Sequence, residues 1–257
     1  MLITLLTDFG TSDYFVAAMK GRILSADPRI AITDITHDIP PHDIEAAAFL
    51  LRAVHRDFPA GTVHVVVVDP GVGSSRKPIV ARAHDQLFVG PDNGVLSFVL
   101  ASDEFSEVHE IRVPAARNEL STTFHGRDIF APAAAMLAKG AQPQEIGPLV
   151  PQPVHLSGLR NDRGPDGMIH GRVIHIDRFG NCITSLKTAD LPTGRPFLAQ
   201  VGAAMISELR PFYESSEDPG PFFTPGSAGF LEISMLRSSA AKTLGIARGD
   251  AVAMRLA

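Results

Sequence analysis

Tryptophan is absent from the 257-residue chain, and cysteine and tyrosine are rare. Because there are only two tyrosines, phenylalanine must supply most of the aromatic stacking. The single cysteine, Cys182, excludes an internal disulfide and is typical of a protein in a reducing compartment. We therefore expect a cytoplasmic protein.

Clustered basic charge and long apolar runs are also missing. The formal net charge is -5 and no run of Lys or Arg stands out, so no nucleic-acid partner is expected. The first ten residues, MLITLLTDFG, contain no basic region and reach Asp8 after only seven residues. We expect neither a signal peptide nor a membrane span there, and no membrane partner.

Three familiar catalytic and nucleotide-binding motifs are absent. The chain has no GxxxxGK followed by Ser or Thr, which argues against a phosphate-binding loop of the Walker type. No GxGxxG follows the first predicted strand, and no GxSxG nucleophile elbow occurs. The usual dinucleotide fold and the usual serine hydrolase are therefore not expected.

What the chain does contain is an apolar run that ends in a loop rich in glycine, VHVVVVDPGVGSSRKP at residues 63–78. Four consecutive valines predict a strand buried on both faces, in the middle of a parallel sheet. Ligands of such sheets bind beyond the carboxyl ends of strands, where Asp69 is expected. Arg76 follows seven residues later and can fold back toward this carboxylate. The alternative is that Asp69 caps a turn and Arg76 lies on the surface.

Strands and helices alternate through the first part of the chain. The predicted order is strand 2–6, helix 14–24, strand 31–35, helix 43–56 and the valine strand. Thr11-Ser12-Asp13 and Asp43 are the expected N-terminal caps of the two helices. This alternation predicts an α/β fold with a largely parallel central sheet.

Composition changes near residue 150, where prolines and glycines cluster. Beyond that point the helical signal fades, and short β-like runs are separated by turns: 168–176, 182–186, 197–201, 230–235 and 251–256. We predict an α/β domain over residues 1–155, a linker over 156–167 and a smaller all-β domain over 168–257.

Several loops carry residues that could do chemistry. His37-Asp38 and His42-Asp43 have side chains that suit Zn²⁺ or Mn²⁺, but no second cluster completes a ligand set. The alternative is loop histidines beside a helix-capping Asp43, and no metal is assigned. His125-Gly126-Arg127-Asp128 precedes an apolar helix expected at 129–138, with Asp128 as a cap. Asp177-Arg178-Phe179-Gly180-Asn181 is first of all a hairpin turn.

Taken together in order, these stretches resemble the SAM hydroxide adenosyltransferase family, relatives of the SAM-dependent fluorinases and chlorinases. The matching motifs are Thr7-Asp8-Phe9-Gly10, Thr36-His37-Asp38-Ile39-Pro40, Asp69-Pro70-Gly71-Val72-Gly73, Pro91-Asp92-Asn93-Gly94, Thr123-Phe124-His125-Gly126-Arg127-Asp128-Ile129-Phe130, Asp177 to Asn181, Pro225-Gly226-Ser227 and Leu231-Glu232-Ile233. Each motif alone is weak, but the ordered set covers nearly the whole chain and is highly specific.

The resemblance implies a fold, an assembly and a catalytic set. It implies an N-terminal α/β domain, a C-terminal β-barrel-like domain, and a homotrimer that binds SAM between neighbouring subunits. The family's hydrolases carry an Asp-Arg-His set, which falls on Asp69, Arg76 and His125. Since the halogenases carry other residue types at the Asp and His positions, the resemblance favours water as the nucleophile.

The resemblance also implies substrate contacts. The ribose-binding Asp matches Asp8, and Asp69 lies beside the substrate. The adenine-stacking ring falls on Phe179, and further contacts fall on a second group of residues: Asn181, Ser227, Glu232 and Met235. One departure is Leu236, which stands where many members have Asn.

The expected reaction is hydrolysis of SAM at C5′ to adenosine and L-methionine, with no cofactor. Three alternatives stay open at this point: a halogenase of the same fold, a non-catalytic protein that binds SAM or adenosine, and a metal hydrolase built on His37 and His42.

Overall fold

The structure is a computed structural model that describes residues 1–101, 105–113, 120–156, 161–165, 167–191, 194–215 and 217–256. The chain divides into two compact units, Met1–Leu156 and Ser157–Ala257. The predicted linker, 156–167, lies partly outside the described residues. Within the described ranges, no helix combines the length and apolar character needed to cross a bilayer.

The first unit is built on a six-stranded sheet. Its strands are β1 (Leu2–Thr7), β2 (Ala31–Thr36), β3 (Val63–Val67), β4 (Pro78–Ala83), β5 (Gln86–Pro91) and β6 (Phe105–Glu110). They lie in the order β2-β1-β3-β5-β4-β6. The neighbours β2, β1, β3 and β5 run parallel to one another, whereas β4 pairs antiparallel with both β5 and β6. The predicted α/β class with a largely parallel sheet is confirmed.

Helices cover both faces of this sheet. They are α1 (Phe15–Ala26), α2 (Ile44–Val54), α3 (Ser97–Leu100), α4 (Ala131–Ala138) and α5 (Pro143–Ile146). Asp43 caps α2 as predicted, because its side chain accepts a hydrogen bond from the backbone N–H of Ala46 at 2.9 Å. The predicted cap of α1 is wrong. Its N-cap is Tyr14, and no side chain caps it.

The valine strand β3 lies in the interior of the sheet and packs on both sides, as its sequence predicts. Val65 and Val67 belong to one core cluster with residues of α1 and α4. Val66 and the following Val68 belong to a second cluster, with residues of α2 and α3. Each fully buried valine contributes about 1.5–3 kcal/mol relative to exposure, so β3 anchors both layers.

The second unit is a barrel-like antiparallel sheet. Its strands are β7 (Asp162–Arg163), β8 (Ile169–Ile176), β9 (Cys182–Lys187), β10 (Phe197–Val201), β11 (Ala204–Ile206), β12 (Phe222–Pro225), β13 (Phe230–Ser234) and β14 (Ala251–Leu256). They follow the order β11-β10-β14-β8-β9-β13-β12, with β7 on β8. A bridge between Leu209 and Phe223 brings the chain after β11 beside β12, so the sheet nearly closes. The predicted all-β, barrel-like fold is confirmed.

Four strands and α-helices of this unit escaped the sequence pattern: β7, which lies within the predicted linker, β11, β12 and α6 (Ala240–Leu244). β12 begins after Pro221 and ends at Pro225, and prolines argue against a strand in a sequence. α6 spans little more than one turn, too short for a helical period to emerge. It is defined locally instead, because Ser239 caps its start and Gly245 ends it with a positive φ.

A cluster of buried histidines lies away from the carboxyl ends of the strands. His64 accompanies Thr4, whose hydroxyl lies 2.7 Å from its Nδ1, and its ring stacks on Phe88. His55 lies near Gln86 and packs edge-on against His64. Burial lowers the pKa of both imidazoles to about 4. Both rings are therefore neutral in the folded protein at neutral pH.

The lowered pKa values of His55 and His64 predict that the protein loses stability in mild acid. An unfolded histidine takes up a proton near pH 6.5, whereas the folded ones resist protonation down to about pH 4. Stability therefore falls as pH drops through that window, by about 2 kcal/mol per imidazole near pH 5. His64→Asn keeps a partner for Thr4 but cannot titrate, so it should remove about half of the loss. Urea unfolding near pH 7 and pH 5 tests this, and an equal loss in both proteins would contradict it.

Candidate active site

Asp69 lies just beyond the carboxyl end of β3, and the loop after it turns back at once. The backbone N–H of Val72 donates to Asp69 O, and that of Ser74 donates to Gly71 O. Gly73 has a φ of +80°, and a Cβ there would lie 2.5 Å from the carbonyl oxygen of Thr122. Only glycine allows this approach, so the loop of residues 69–76 packs directly against the segment that leads to His125.

Arg76 returns to Asp69 as a paired and largely buried side chain. Its Nε donates to Asp69 Oδ1 at 2.9 Å, and its Nη2 donates to Oδ2. The exposed fractions of the two side chains are 9% and 4%. The interpretation of Arg76 as a surface residue is therefore wrong, and the two charges form a forked, buried ion pair.

His125 joins this pair through Arg76. Nη2 of Arg76 lies 2.6 Å from Nδ1 of His125. Because a guanidinium only donates, Nδ1 is the acceptor, and the neutral ring carries its proton on Nε2. Burial lowers the pKa of His125, and the charge of Arg76 lowers it further, against the opposing effects of Asp69 and Asp128. The three residues singled out by the sequence are brought together.

An irregular turn positions His125. It is the N-cap of a π-helical turn, Gly126–Phe130, which continues into α4. The sequence predicts an ordinary helix from residue 129 with Asp128 as its cap. Instead, Asp128 accepts from the backbone of Ser121 at 2.8 Å and pairs with Arg127. Phe130, fully buried at the end of the turn, lies beneath the guanidinium of Arg76.

A cavity of about 250 Å³ opens beside this set. Its apolar lining includes three phenylalanines, and its polar lining consists of Asp8, His42, Asp69, Thr123 and His125. Asp8 follows β1 directly, and its Oδ2 accepts the backbone N–H of His42 at 2.9 Å. The volume lies below the range typical for a drug-sized ligand, so the cavity accepts only part of one.

The paired histidines contact other groups of the protein. Nδ1 of His37 lies 2.9 Å from the hydroxyl of Thr7, and His42 contributes its backbone to Asp8. Across the described part of the chain, no group of three or more His, Cys, Asp or Glu side chains is arranged to hold a metal ion.

In the second unit, Asp177 organises the turn between β8 and β9. Its carboxylate accepts from the backbone N–H groups of Phe179 and Asn181 and from the side-chain amide of Asn181. This confirms the predicted turn. Asn181 is buried, whereas Phe179 is 79% exposed. A ring so exposed is available for stacking.

Glu232 lies on β13, beside the start of β9, where its register partner is Ile183. Burial raises its pKa, and the hydroxyl of Tyr213 donates to its Oε2 at 3.0 Å. Ser227 lies in the turn between β12 and β13, and Met235 follows β13 directly. Tyr213 escaped the sequence analysis because it lies in an irregular segment, where only the aromatic pair Phe212-Tyr213 could have drawn attention.

The fold and this site define a class: an α/β unit with an Asp-Arg-His set at the carboxyl edge of its sheet, joined to a β-barrel-like unit. Residues 3–147 match the SAM hydroxide adenosyltransferase N-terminal domain, and residues 171–253 match the C-terminal domain of the same family. The chain belongs to the SAM hydroxide adenosyltransferase family.

Individual relatives agree with this membership. An (R)-S-adenosyl-L-methionine hydrolase of Thermus thermophilus is 37% identical over 95% of each chain. A crystal structure described as an uncharacterized conserved protein from Thermotoga maritima superposes with a TM-score of 0.88, covers 99% of both chains and is 32% identical. A fluorinase of Actinoplanes sp. is more distant, at 28% identity over 74% of this chain and 73% of its own.

Replacing Gly73 with alanine should separate the loop of residues 69–76 from His125. Gly61 is a matched control, because its φ is +79° but a Cβ there meets nothing within 4 Å. Gly61→Ala should cost only the left-handed strain, about 1–2 kcal/mol. Gly73→Ala adds the collision with Thr122, and we expect the pKa of His125 to rise toward its ordinary value as Arg76 moves away.

Urea unfolding and an NMR titration of His125 measure the two effects. Equal destabilisation by the two alanines, together with an unchanged His125 titration, would contradict the packing described for this loop.

Proposed function

We propose that the protein hydrolyses S-adenosyl-L-methionine, with an oxygen from water attacking C5′ to give adenosine and L-methionine. The single observation that carries the proposal is the contact of Asp69, Arg76 and His125 beside the cavity that also holds Asp8. The hydrolase from Thermus thermophilus, similar over nearly its full length, supports the same reaction.

The difficulty of this reaction lies in the nucleophile. The sulfonium of SAM is already a good leaving group, but hydroxide is scarce at neutral pH. The site must therefore hold a water molecule in line with the C–S bond and stabilise the negative charge that develops on it. The net reaction of water with SAM releases one proton, and the displacement as written needs no metal, cofactor or covalent intermediate.

The three residues divide this work. Arg76 is permanently cationic and stabilises hydroxide character while it holds Asp69. Asp69 positions the water. His125 is neutral because its pKa is lowered, and with Nδ1 turned to Arg76 its Nε2–H orients the oxygen. Nη1 of Arg76, buried and without a hydrogen-bond partner in the described chain, is a further donor for a small oxygen species.

Substrate contacts follow the same proposal. The two oxygens of Asp8 suit the vicinal ribose hydroxyls, and Phe179 offers a flat face to adenine. The remaining predicted contacts, which the structure does not test, are Asn181, Ser227, Glu232 and Met235. We also propose a homotrimer with SAM bound between neighbouring subunits, because the family resemblance implies it, and the cytoplasm as the compartment, because a single cysteine fits a reducing one.

The second candidate is a halogenase of the same fold, which the distant likeness to a fluorinase raises. Asp69 argues against it, because a carboxylate accepts a hydrogen bond from water, whereas a halide ion has no hydrogen to donate to it. A protein that only binds SAM or adenosine would have little use for a buried ion pair and a neutral imidazole at the reacting end of its cavity.

Incubation with SAM in ¹⁸O-labelled water, without halide, tests the reaction directly. We expect adenosine labelled at its 5′ oxygen, because solvent supplies the nucleophile. Mass analysis of the nucleoside measures the label, and a chelator should leave the rate unchanged.

Three results would contradict the hydrolase. Product that forms only when chloride or fluoride is added indicates a halogenase. Activity lost with the chelator indicates a metal enzyme. Binding of SAM without any product indicates a protein that only binds it.

Two alanine substitutions test the division of roles. Asp8→Ala removes the ribose contact, so KM for SAM and the Kd for adenosine should both rise roughly 10–100-fold. His125→Ala should mainly lower kcat, by roughly 10²–10⁴-fold. Asp85→Asn is the control. Asp85 is exposed and lies in the turn between β4 and β5, whereas Pro91, paired with Pro78, marks the opposite, carboxyl end of β5.

Steady-state kinetics and calorimetry with adenosine separate the two effects. If His125→Ala kept normal turnover while Asp8→Ala abolished it, the roles would have to be exchanged.

A further inference from the structure

The loop that carries Asp8 is held by a second loop, residues 37–42. The backbone N–H of Gly10 donates to the carbonyl of His37 at 2.8 Å. The backbone N–H of His42 donates to the carboxylate of Asp8 itself. The side chain of His37 adds a third link, 2.9 Å long, to the hydroxyl of Thr7. Asp8 is therefore held at its own carboxylate and through its neighbours in the chain.

Thr7 transmits this third link to the backbone around Asp8. Its Oγ1 accepts the backbone N–H of Phe9 at 3.2 Å, a turn in which a hydroxyl bonds two residues ahead. Asp8 is the residue enclosed by that turn, so the bond restricts its backbone angles. Thr7 is fully buried and His37 is 5% exposed, so solvent does not compete for these bonds.

The chain of contacts continues outward from His37 to charged residues. Nε2 of His37 lies 3.0 Å from Oδ1 of Asp34, although the alignment is too oblique for a full hydrogen bond. The other oxygen of Asp34 accepts from Lys20 of α1 at 2.6 Å. With a proton on Nε2 facing the carboxylate, Nδ1 is free to accept from the hydroxyl of Thr7, which in turn accepts from Phe9. The hydrogen bonds from Lys20 to Asp34, from Thr7 to His37 and from Phe9 to Thr7 then all run in compatible directions, and the Nε2 proton faces the Asp34 carboxylate.

We propose that His37 is a positioning residue for substrate binding, which holds Asp8 in place for the ribose diol of the adenosyl group through Thr7. The proposal rests on the function above, which assigns Asp8 to the ribose. It also accounts for a histidine that first suggested a metal ligand. His37 is buried and does not line the cavity beside Asp69, so its loss should weaken binding and leave the chemical step nearly intact.

Two substitutions of His37 separate its two contacts. Asparagine places its amide where Nδ1 stands and keeps the bond to Thr7, whereas glutamine reaches toward Asp34 and loses Thr7. We expect His37→Gln to raise KM for SAM and the Kd for adenosine about tenfold, with kcat within about twofold of wild type. His37→Asn should stay within about threefold of wild type in both constants.

His109 supplies the matched control. It is also a buried histidine with both ring nitrogens engaged, by the carbonyl of Gly147 and by Glu107. It lies on β6, at the edge of the sheet opposite to β2. Asparagine and glutamine at His109 should leave both constants at their wild-type values, even where thermal stability falls.

Thr7→Val tests the same link from its other end and serves if a His37 variant folds poorly. It should raise the Kd for adenosine as His37→Gln does. The double variant should bind no more weakly than either single one, because both remove the same link.

Calorimetry with adenosine and steady-state kinetics with SAM decide the matter. Equal affinities in His37→Asn and His37→Gln, or a fall in kcat with unchanged binding, would overturn the positioning role. Absence of SAM turnover in the wild-type protein would instead contradict the proposed function, while the adenosine affinities would still report on His37.

Discussion

The buried ion pair between Arg76 and Asp69 is the interaction on which the site depends. Two charges with side chains less than a tenth exposed are costly to bury, and they are tolerated because the guanidinium bonds both carboxylate oxygens. The same guanidinium also reaches His125, whose pKa is lowered first by burial and further by the charge of Arg76. One cation therefore orients a carboxylate, fixes a tautomer and adds to the effect of burial on an imidazole.

The sheet explains how these residues meet. β1, β2 and β3 are parallel neighbours, so the loops that follow them emerge along one edge. Asp8, His37 and Asp69 come from those three loops. Arg76 returns because the loop of residues 69–76 is short and Gly73 lets it pack on the backbone of Thr122. His125 follows Thr122 closely in the chain and lies at the start of the π-helical turn, so the same contact brings it near Arg76.

Two kinds of interaction hold the side chains in place at this edge of the sheet. Around Asp69 the residues are held by charged interactions, and in the proposed reaction these act on the nucleophile. Around Asp8 no cation takes part: the backbone N–H of His42 donates to the carboxylate, and the hydroxyl of Thr7 accepts from the backbone N–H of Phe9 beside it. This separation suits the proposed displacement reaction, in which the group assigned to the ribose can stay rigid while charge changes at C5′.

Much of this protein was determined by its sequence alone. The valine run of β3, the alternation of strands and helices, and the cap at Asp43 are local signals, since burial on both faces and helix capping leave patterns within a few residues. The family resemblance rested on ordered motifs and pointed to Asp69, Arg76 and His125. Short elements such as β12 and α6 escaped because prolines and brevity hide the period of the pattern. Only the tertiary structure decided that Arg76 is buried and not on the surface, that the imidazole of His37 contacts the hydroxyl of Thr7, and that Asp128 pairs with Arg127 instead of capping a helix. Each of these contacts depends on residues distant in the chain or on how deeply the fold buries a charge. A local sequence pattern indicates neither.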